Sequence, residues 1–387
     1  MVADTVTPFE ITVGGDVLAD LCARLARTRW PAAGLGEPWA QGTDLATLVD
    51  LCAYWRDGFD WHAAERSYNA WPQVITSVDG QPIHCFHVRS PEPDAFPLVL
   101  LHGWPSANTE FVKLLGPLTD PVAHGGRRED AFHLVVPSLP GFAWSGPTRR
   151  AGWTPHRIAG ALVDVMARLG YDRFGAHGGD WGAMVAAQLG LHFPDRVAAI
   201  HLNLVIAPPP RDLADPMAGL TEVERSRVVD MRARGRHEMG YQQIQATRPA
   251  SVSAGLNDSP AGLAAWLIEK YRAWGDCHGD VWSRFTPDEM CALFTVYWVT
   301  GTINSANRIY AETRRAGRGA SLPPSFVGVP MGYSRFPAEG FAPPRAWVER
   351  LYDVRFWVEH TEGGHFPALE VPGLLTSDLR AFFAALR

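Results

Sequence analysis

The chain has 387 residues, of which 47% are hydrophobic and 20% charged, and its 35 basic and 41 acidic side chains give a formal charge of −6. Such a chain can bury a sizeable core, and without a basic excess it carries no electrostatic footprint for nucleic acid. Five cysteines, Cys22, Cys52, Cys85, Cys277 and Cys291, form no C-x-x-C pair, which argues against a disulfide scaffold or a zinc site and fits a reducing cytoplasm. Met1–Glu10 lacks a basic stretch followed by an apolar one, and no uncharged apolar run reaches the ~18 residues of a membrane span. The expectation is a cytoplasmic globular protein with no membrane association, metal or cofactor.

In chain order, Asp16–Arg27 has helical spacing, with Val17, Leu18, Leu21 and Leu25 on one side. An irregular Pro/Gly/Trp-rich stretch from Trp30 to Gly42 leads to a second helix near Leu45–Arg56. Gln73–Val78 and Pro82–Val88 flank Asp79-Gly80, a strong two-residue hairpin signal. From Pro97 the pattern changes to short apolar runs separated by helical segments: Leu98–Leu101, His133–Val136, Phe174–His177 before the helical run Ala183–Leu191, and Val197–Leu202. Strands alternating with helices predict βαβ units and a parallel sheet. Pro208–Pro210 breaks that rhythm, and the chain then reads as helical to about Gly319. Within this stretch Arg232-Ala233-Arg234-Gly235-Arg236 reads as a solvated helix face. Alternation resumes with Ser325–Val329 and Phe356–Glu359, and a helix around Leu374–Leu386 closes the chain. The division expected is an N-terminal extension over 1–94, a core in two halves over 95–207 and 321–387, and a helical lid over 208–320.

Gly178-Gly179-Asp180-Trp181-Gly182 follows an apolar strand and opens a helix, the setting of a nucleophile elbow. Its central residue is aspartate where serine is usual, and that changes the chemistry. A serine attacking an alkyl carbon would leave an ether, which water does not readily cleave. An aspartate leaves an ester whose acyl carbonyl belongs to the protein, and water can regenerate the carboxylate. Displacement at sp³ carbon is therefore expected.

His365, in Glu362-Gly363-Gly364-His365-Phe366, lies between the last predicted strand and the last helix, and the order Asp180, acid, His365 suits such a site. Among 14 histidines it is the candidate general base, expected to be largely neutral at pH 7 on its unperturbed pKa of about 6.5. The orienting carboxylate should follow the strand around Ser325–Val329. Glu339, in Phe336-Pro337-Ala338-Glu339, is the candidate, with Asp353 as the fallback; Glu359 and Glu362 lie in or just after the strand leading to the histidine. His102-Gly103-Trp104-Pro105, after Leu98–Leu101, is the candidate oxyanion loop, with Trp104 and Trp181 as the N–H donors; its proline suits a tight or cis turn. Displacement at sp³ carbon includes epoxide opening and dehalogenation; the alkoxide that epoxide opening leaves needs a proton, which a neutral tyrosine can supply. Tyr241, Tyr271, Tyr297 and Tyr310 all lie in the insert, and spacing alone does not choose among them.

Taken together, Thr28-Arg29-Trp30-Pro31, His102-Gly103-Trp104-Pro105, Ser138-Leu139-Pro140-Gly141-Phe142, the elbow, the segments 255–265 and 297–303 and Gly363-Gly364-His365-Phe366 resemble the microsomal-type epoxide hydrolases over almost the whole chain. The resemblance implies an α/β-hydrolase fold with a mostly parallel sheet, an inserted helical lid and an N-terminal extension. It also implies Asp180 as nucleophile, His365 as base, Glu339 as its partner, and Tyr241 and Tyr310 as donors to the epoxide oxygen. The expected partners are a small apolar or aromatic epoxide and water, with a homodimer as the family-level expectation. The membrane anchor of the mammalian members is not carried over. The nearest rival is a haloalkane dehalogenase, which would use the same aspartate but needs halide-binding N–H donors in place of paired tyrosines. A non-catalytic carrier of hydrophobic ligands is the reading from another class.

Overall fold

The computed structural model describes residues 5–317 and 322–386; the expected lid–core boundary at 320/321 lies outside them. Nine strands form one sheet among the described residues: β1 (Thr7–Pro8), β2 (Gln73–Val78), β3 (Gln81–Val88), β4 (Phe96–Leu101), β5 (Phe132–Pro137), β6 (Phe174–Gly178), β7 (Val197–Leu202), β8 (Val327–Arg335) and β9 (Tyr352–Glu359). Their order is β1-β2-β3-β5-β4-β6-β7-β8-β9. The pairings from β1 to β5 are antiparallel and those from β5 to β9 parallel.

Local chemistry explains the best-predicted elements. Asp79 and Gly80 both take positive φ (53° and 77°), the conformation a two-residue hairpin turn demands and one that Asp and Gly tolerate. Leu98 to Leu101 are all buried, as parallel strands covered on both faces must be. The helices Pro155–Arg168 and Asp180–His192 pack together on the sheet, and Val112–Thr119 packs with Pro372–Ala384. Thr286 caps the helix Pro287–Thr300 in a reciprocal box with Glu289, and Gly301 ends it in the left-handed conformation.

β8 departs from expectation. Instead of ending at Val329 it runs to Arg335. Gly328, Pro330 and Gly332 disguise it as loop, and the register against β9 shifts at Val327/Pro330 and again at Met331/Gly332. Irregularities of this kind let a strand carry proline, and pairing on both sides, with β7 and β9, holds the strand together. This places the carboxyl end of β8 level with those of β6 and β7, beside the site described below.

The insert consists of the helices Glu222–Glu238, Gly240–Thr247, Pro249–Asp258, Pro260–Trp274, Pro287–Thr300 and Ile303–Ala316. The N-terminal segment adds β1–β3 to the sheet, while its helices dock on the insert. Trp55 Nε1 donates to Thr295 Oγ1 at 2.9 Å, Thr43 Oγ1 to the Ala265 carbonyl at 2.6 Å, and Arg24 pairs with Asp258 at 2.7 Å. No helix among the described residues is long and apolar enough to cross a membrane.

Candidate active site

The turn between β6 and the following helix is too tight for side chains beside its apex. A Cβ on Gly178 would stand 2.3 Å from the Gly182 carbonyl, and one on Gly182 only 1.9 Å from the Leu101 oxygen. At the apex Asp180 has φ +47°, an uncommon, strained conformation that a short polar side chain can adopt. It opens the helix Asp180–His192, whose N-terminal dipole favours a carboxylate.

The loop after β4 supplies the facing wall. His102 Nε2 accepts from the Leu139 N–H at 3.0 Å, so Nδ1 carries the proton and donates to the Gly103 carbonyl at 3.0 Å. Burial holds this imidazole down at about 4, which keeps it neutral. The fixed loop, with Trp104-Pro105 in cis, aims the Trp104 N–H at Asp180 Oδ1, 2.9 Å away. Only a glycine fits at 103, because its Cβ would lie 2.3 Å from Asp180 Cβ. Trp181 is the first residue past the apex, among the helix-opening positions whose N–H groups have no intrahelical acceptor.

His365 lies across Asp180, with Nε2 3.6 Å from Oδ2, and its Nδ1 is 2.6 Å from Glu339 Oε2. Glu339 Oε1 accepts from the Phe341 N–H at 2.9 Å, which orients the carboxylate. The other carboxylates weighed from the sequence are engaged elsewhere. Asp353 pairs with Arg355, Glu359 with Arg227 and Glu362 with Arg284. The expectation of a largely neutral His365 is corrected. Burial alone would lower its pKa, but the Glu339 and Asp180 carboxylates outweigh burial and raise it to about 10. Two anions facing one buried imidazole make it a cation as long as both remain charged.

The four lid tyrosines separate by contact. Tyr297 donates to the Ser106 carbonyl at 2.8 Å, and Tyr271 stacks on Phe366 at 4.1 Å. Tyr241 stacks on Trp104 at 5.0 Å, and Tyr310 packs edge-on against Trp181 at 4.7 Å and against Trp104 at 6.0 Å. Their rings meet at 5.8 Å, and the buried Tyr310 hydroxyl makes no hydrogen bond of normal geometry. Burial is the main force pushing both pKa values up; Asp180 adds to it at Tyr241, and Tyr241 and then Asp180 add to it at Tyr310. Both phenols therefore keep their protons.

Several residues that hold the site carried no local signal. The Trp274 carbonyl accepts from the His365 N–H at 3.0 Å. Glu370 receives the Phe366 and Asp276 N–H groups at 2.8 and 2.7 Å, and Asp276 in turn receives Gly363 N–H at 2.9 Å. The basic cluster read as solvated is split: Arg232 and Arg236 are exposed, but Arg234 turns inward and donates to the Ala338 and Ala273 carbonyls at 2.9 and 2.5 Å. It thereby ties the helix Glu222–Glu238 to the loop carrying Glu339. A cavity of about 50 Å³ lies over Asp180 and His365, walled by Met231, Met239, Tyr241, Trp274 and Phe341. Among the described residues no cluster of His, Cys, Asp and Glu could hold a metal ion.

The family description "Epoxide hydrolase N terminus" matches residues 6–111, and "alpha/beta hydrolase fold" matches residues 97–235. A relative from Stigmatella aurantiaca is 43% identical over 99% of this chain and 86% of its own length. Epoxide hydrolase 1 of Sus scrofa is 31% identical over 99% of this chain and 89% of its own. Juvenile hormone epoxide hydrolase from the silkworm Bombyx mori superposes with a TM-score of 0.92 at 28% identity, covering 100% of this chain and 96% of that one. The Aspergillus niger epoxide hydrolase gives 0.88 at 29% identity, covering 100% and 98%.

Proposed function

The chain belongs to the epoxide hydrolase family and is an epoxide hydrolase, and from that premise we propose that Asp180 opens the ring and His365 drives hydrolysis of the ester so formed. The observation that carries the proposal is the division of labour at one carboxylate: Oδ1 is held by the Trp104 N–H and Oδ2 faces His365 Nε2. Oδ2 attacks an epoxide carbon, the carbon–oxygen bond of the ring breaks, and Tyr241 and Tyr310 donate to the departing oxygen. Oδ1 becomes the ester carbonyl. Water then adds to Cγ while His365 takes its proton, and the Trp104 N–H, with that of Trp181, stabilises the charge on Oδ1. The Cγ–Oδ2 bond breaks, His365 returns the proton to Oδ2, the diol leaves with that oxygen, and the Asp180 acid left behind passes its proton to His365, restoring the starting charges.

The charge of His365 fits this sequence. Before the ester forms, a cationic imidazole stabilises both carboxylates. Esterification removes the Asp180 charge, leaves only Glu339 to hold the proton, and so lowers the imidazole pKa toward the range of a working base; the proton His365 gives up replaces the one the tyrosines gave to the opened oxygen. Glu339 keeps Nδ1 protonated and Nε2 turned to the water. The methionine and aromatic walls of the cavity suit small apolar or aromatic epoxides, since flexible thioethers can rearrange around varied shapes. The five cysteines, all unpaired, support the cytoplasm as its compartment.

One turnover in heavy-oxygen water tests the scheme. The first diol should carry ordinary oxygen, and the label should appear in the Asp180 carboxylate. Label in that first diol would show that water attacks the ring directly.

A further inference from the structure

We propose that the hydrolytic water reaches Asp180 from the side opposite the substrate, through a passage in which Glu110 is the positioning residue. The inference rests on Asp180 as the nucleophile. Once Asp180 is alkylated, the alkyl group occupies the cavity under the lid and stands between bulk solvent and Cγ. Water arriving by that route would have to pass the group it is to release.

A second route is built into the fold. Beyond Asp180 and His365, which wall the substrate cavity on one side, lies a cavity of about 10 Å³ bounded by Ser106, Glu110, Gly103 and Asn203. That is the volume of about one water, which needs two to four polar partners. Asn203 is buried and its Nδ2 has no protein hydrogen-bond partner, so it offers a free donor there. Ser106 and Glu110 also wall a third cavity, of about 440 Å³. Exposed Ala63, Ser67 and Asp288 line this outer space, which lies between the N-terminal segment and the helix Pro287–Thr300. The three cavities are thus in series, with the catalytic pair at one junction and the pair Ser106–Glu110 at the other.

Glu110 suits such a junction. Its carboxyl is near enough to feel both His365 and Asp180, and burial raises its pKa to about 8, with Ser106 and His365 pulling the other way. At neutral pH it is mostly the uncharged acid, able to hydrogen-bond a passing water without competing with Glu339 for the imidazolium.

The two half-reactions separate this role from a structural one. With styrene oxide under single-turnover conditions, the mass of the alkylated protein reports ester formation and its decay reports hydrolysis. Glu110→Leu should leave ester formation within about twofold of the parent and slow hydrolysis by about tenfold or more, while Glu110→Gln, which keeps a neutral hydrogen-bonding end, should recover most of the rate. Ser106→Val, at the same junction, should behave like Glu110→Leu and serves as the test if that variant does not fold. Hydrolysis at the parental rate, or an equal slowing of both steps, overturns the passage. His365→Gln is the control. If no adduct accumulates even there, the nucleophile reading fails; if an adduct accumulates there and the junction variants still hydrolyse normally, only the passage fails.

Discussion

Replacing Asp180 by asparagine removes the charge that esterification removes and keeps the shape, at a position whose left-handed backbone asparagine tolerates. Asp180 Oδ2 lies 3.6 Å from His365 Nε2, with side chains 17% and 7% exposed. A pair of opposite unit charges at about 4 Å, in the effective dielectric of about 20 that suits protein sites, interacts by about 4 kcal/mol. With 1.36 kcal/mol per pKa unit, losing that interaction should lower the imidazole pKa by about 3, from about 10 in the parent to near neutrality. The assay is a pH titration of ¹⁵N-labelled histidine by NMR in the parent and Asp180→Asn, with His365→Gln to assign the resonance and intact mass to confirm that the amide survives. A shift of that size would mean that alkylation itself prepares the base. Indistinguishable titrations in parent and variant would show that the Asp180 charge does not control His365, and the proposed coupling of the two half-reactions would fall.

Three further outcomes are expected. Tyr241→Phe and Tyr310→Phe should each slow ester formation by roughly tenfold, and the double variant by considerably more, because each phenol can partly serve for the other; rapid-quench measurement of alkylation at the parental rate in the double variant would remove both from the mechanism. Gly103→Ala should cost about a hundredfold in kcat with the fold retained by circular dichroism, because its Cβ, 2.3 Å from Asp180 Cβ, displaces the Trp104 donor from the developing oxyanion; unchanged kcat would contradict the tight fit. The His365 pKa is higher in the folded chain, about 10, than the unfolded value of about 6.5. Its stabilising contribution is therefore complete below about 6.5 and is lost as pH rises through about 10. The difference in thermal midpoint between the parent and His365→Gln should accordingly shrink between pH 7 and pH 10; a constant difference would argue against a cationic His365.

What could be read along the chain is what neighbours in sequence decide. Asp79-Gly80 had to turn because both residues accept positive φ. The glycines around Asp180 marked an apex with no room for side chains, and aspartate in place of serine pointed to chemistry through an ester that water can cleave. The apolar runs of β4 to β7 declared themselves because parallel strands are buried on both faces. Other features depend on what the fold brings together. β8 reaches Arg335 only because β7 and β9 flank it, despite Gly328, Pro330 and Gly332. Glu339 rather than Asp353 meets His365 because Asp353 lies beside Arg355 in β9. Spacing alone left four tyrosines alike, and the resemblance singled out two; the fold distinguishes them physically, packing Tyr241 on Trp104 and Tyr310 against Trp181. The charge of His365 was likewise invisible, because a pKa is set by burial and by anions whose positions no spacing reveals. Arg234, read locally as part of a solvated helix face, meets the Ala338 and Ala273 carbonyls only because distant segments close around it, and Glu110, which carried no local signal, comes within reach of Asp180 and His365 in the same way.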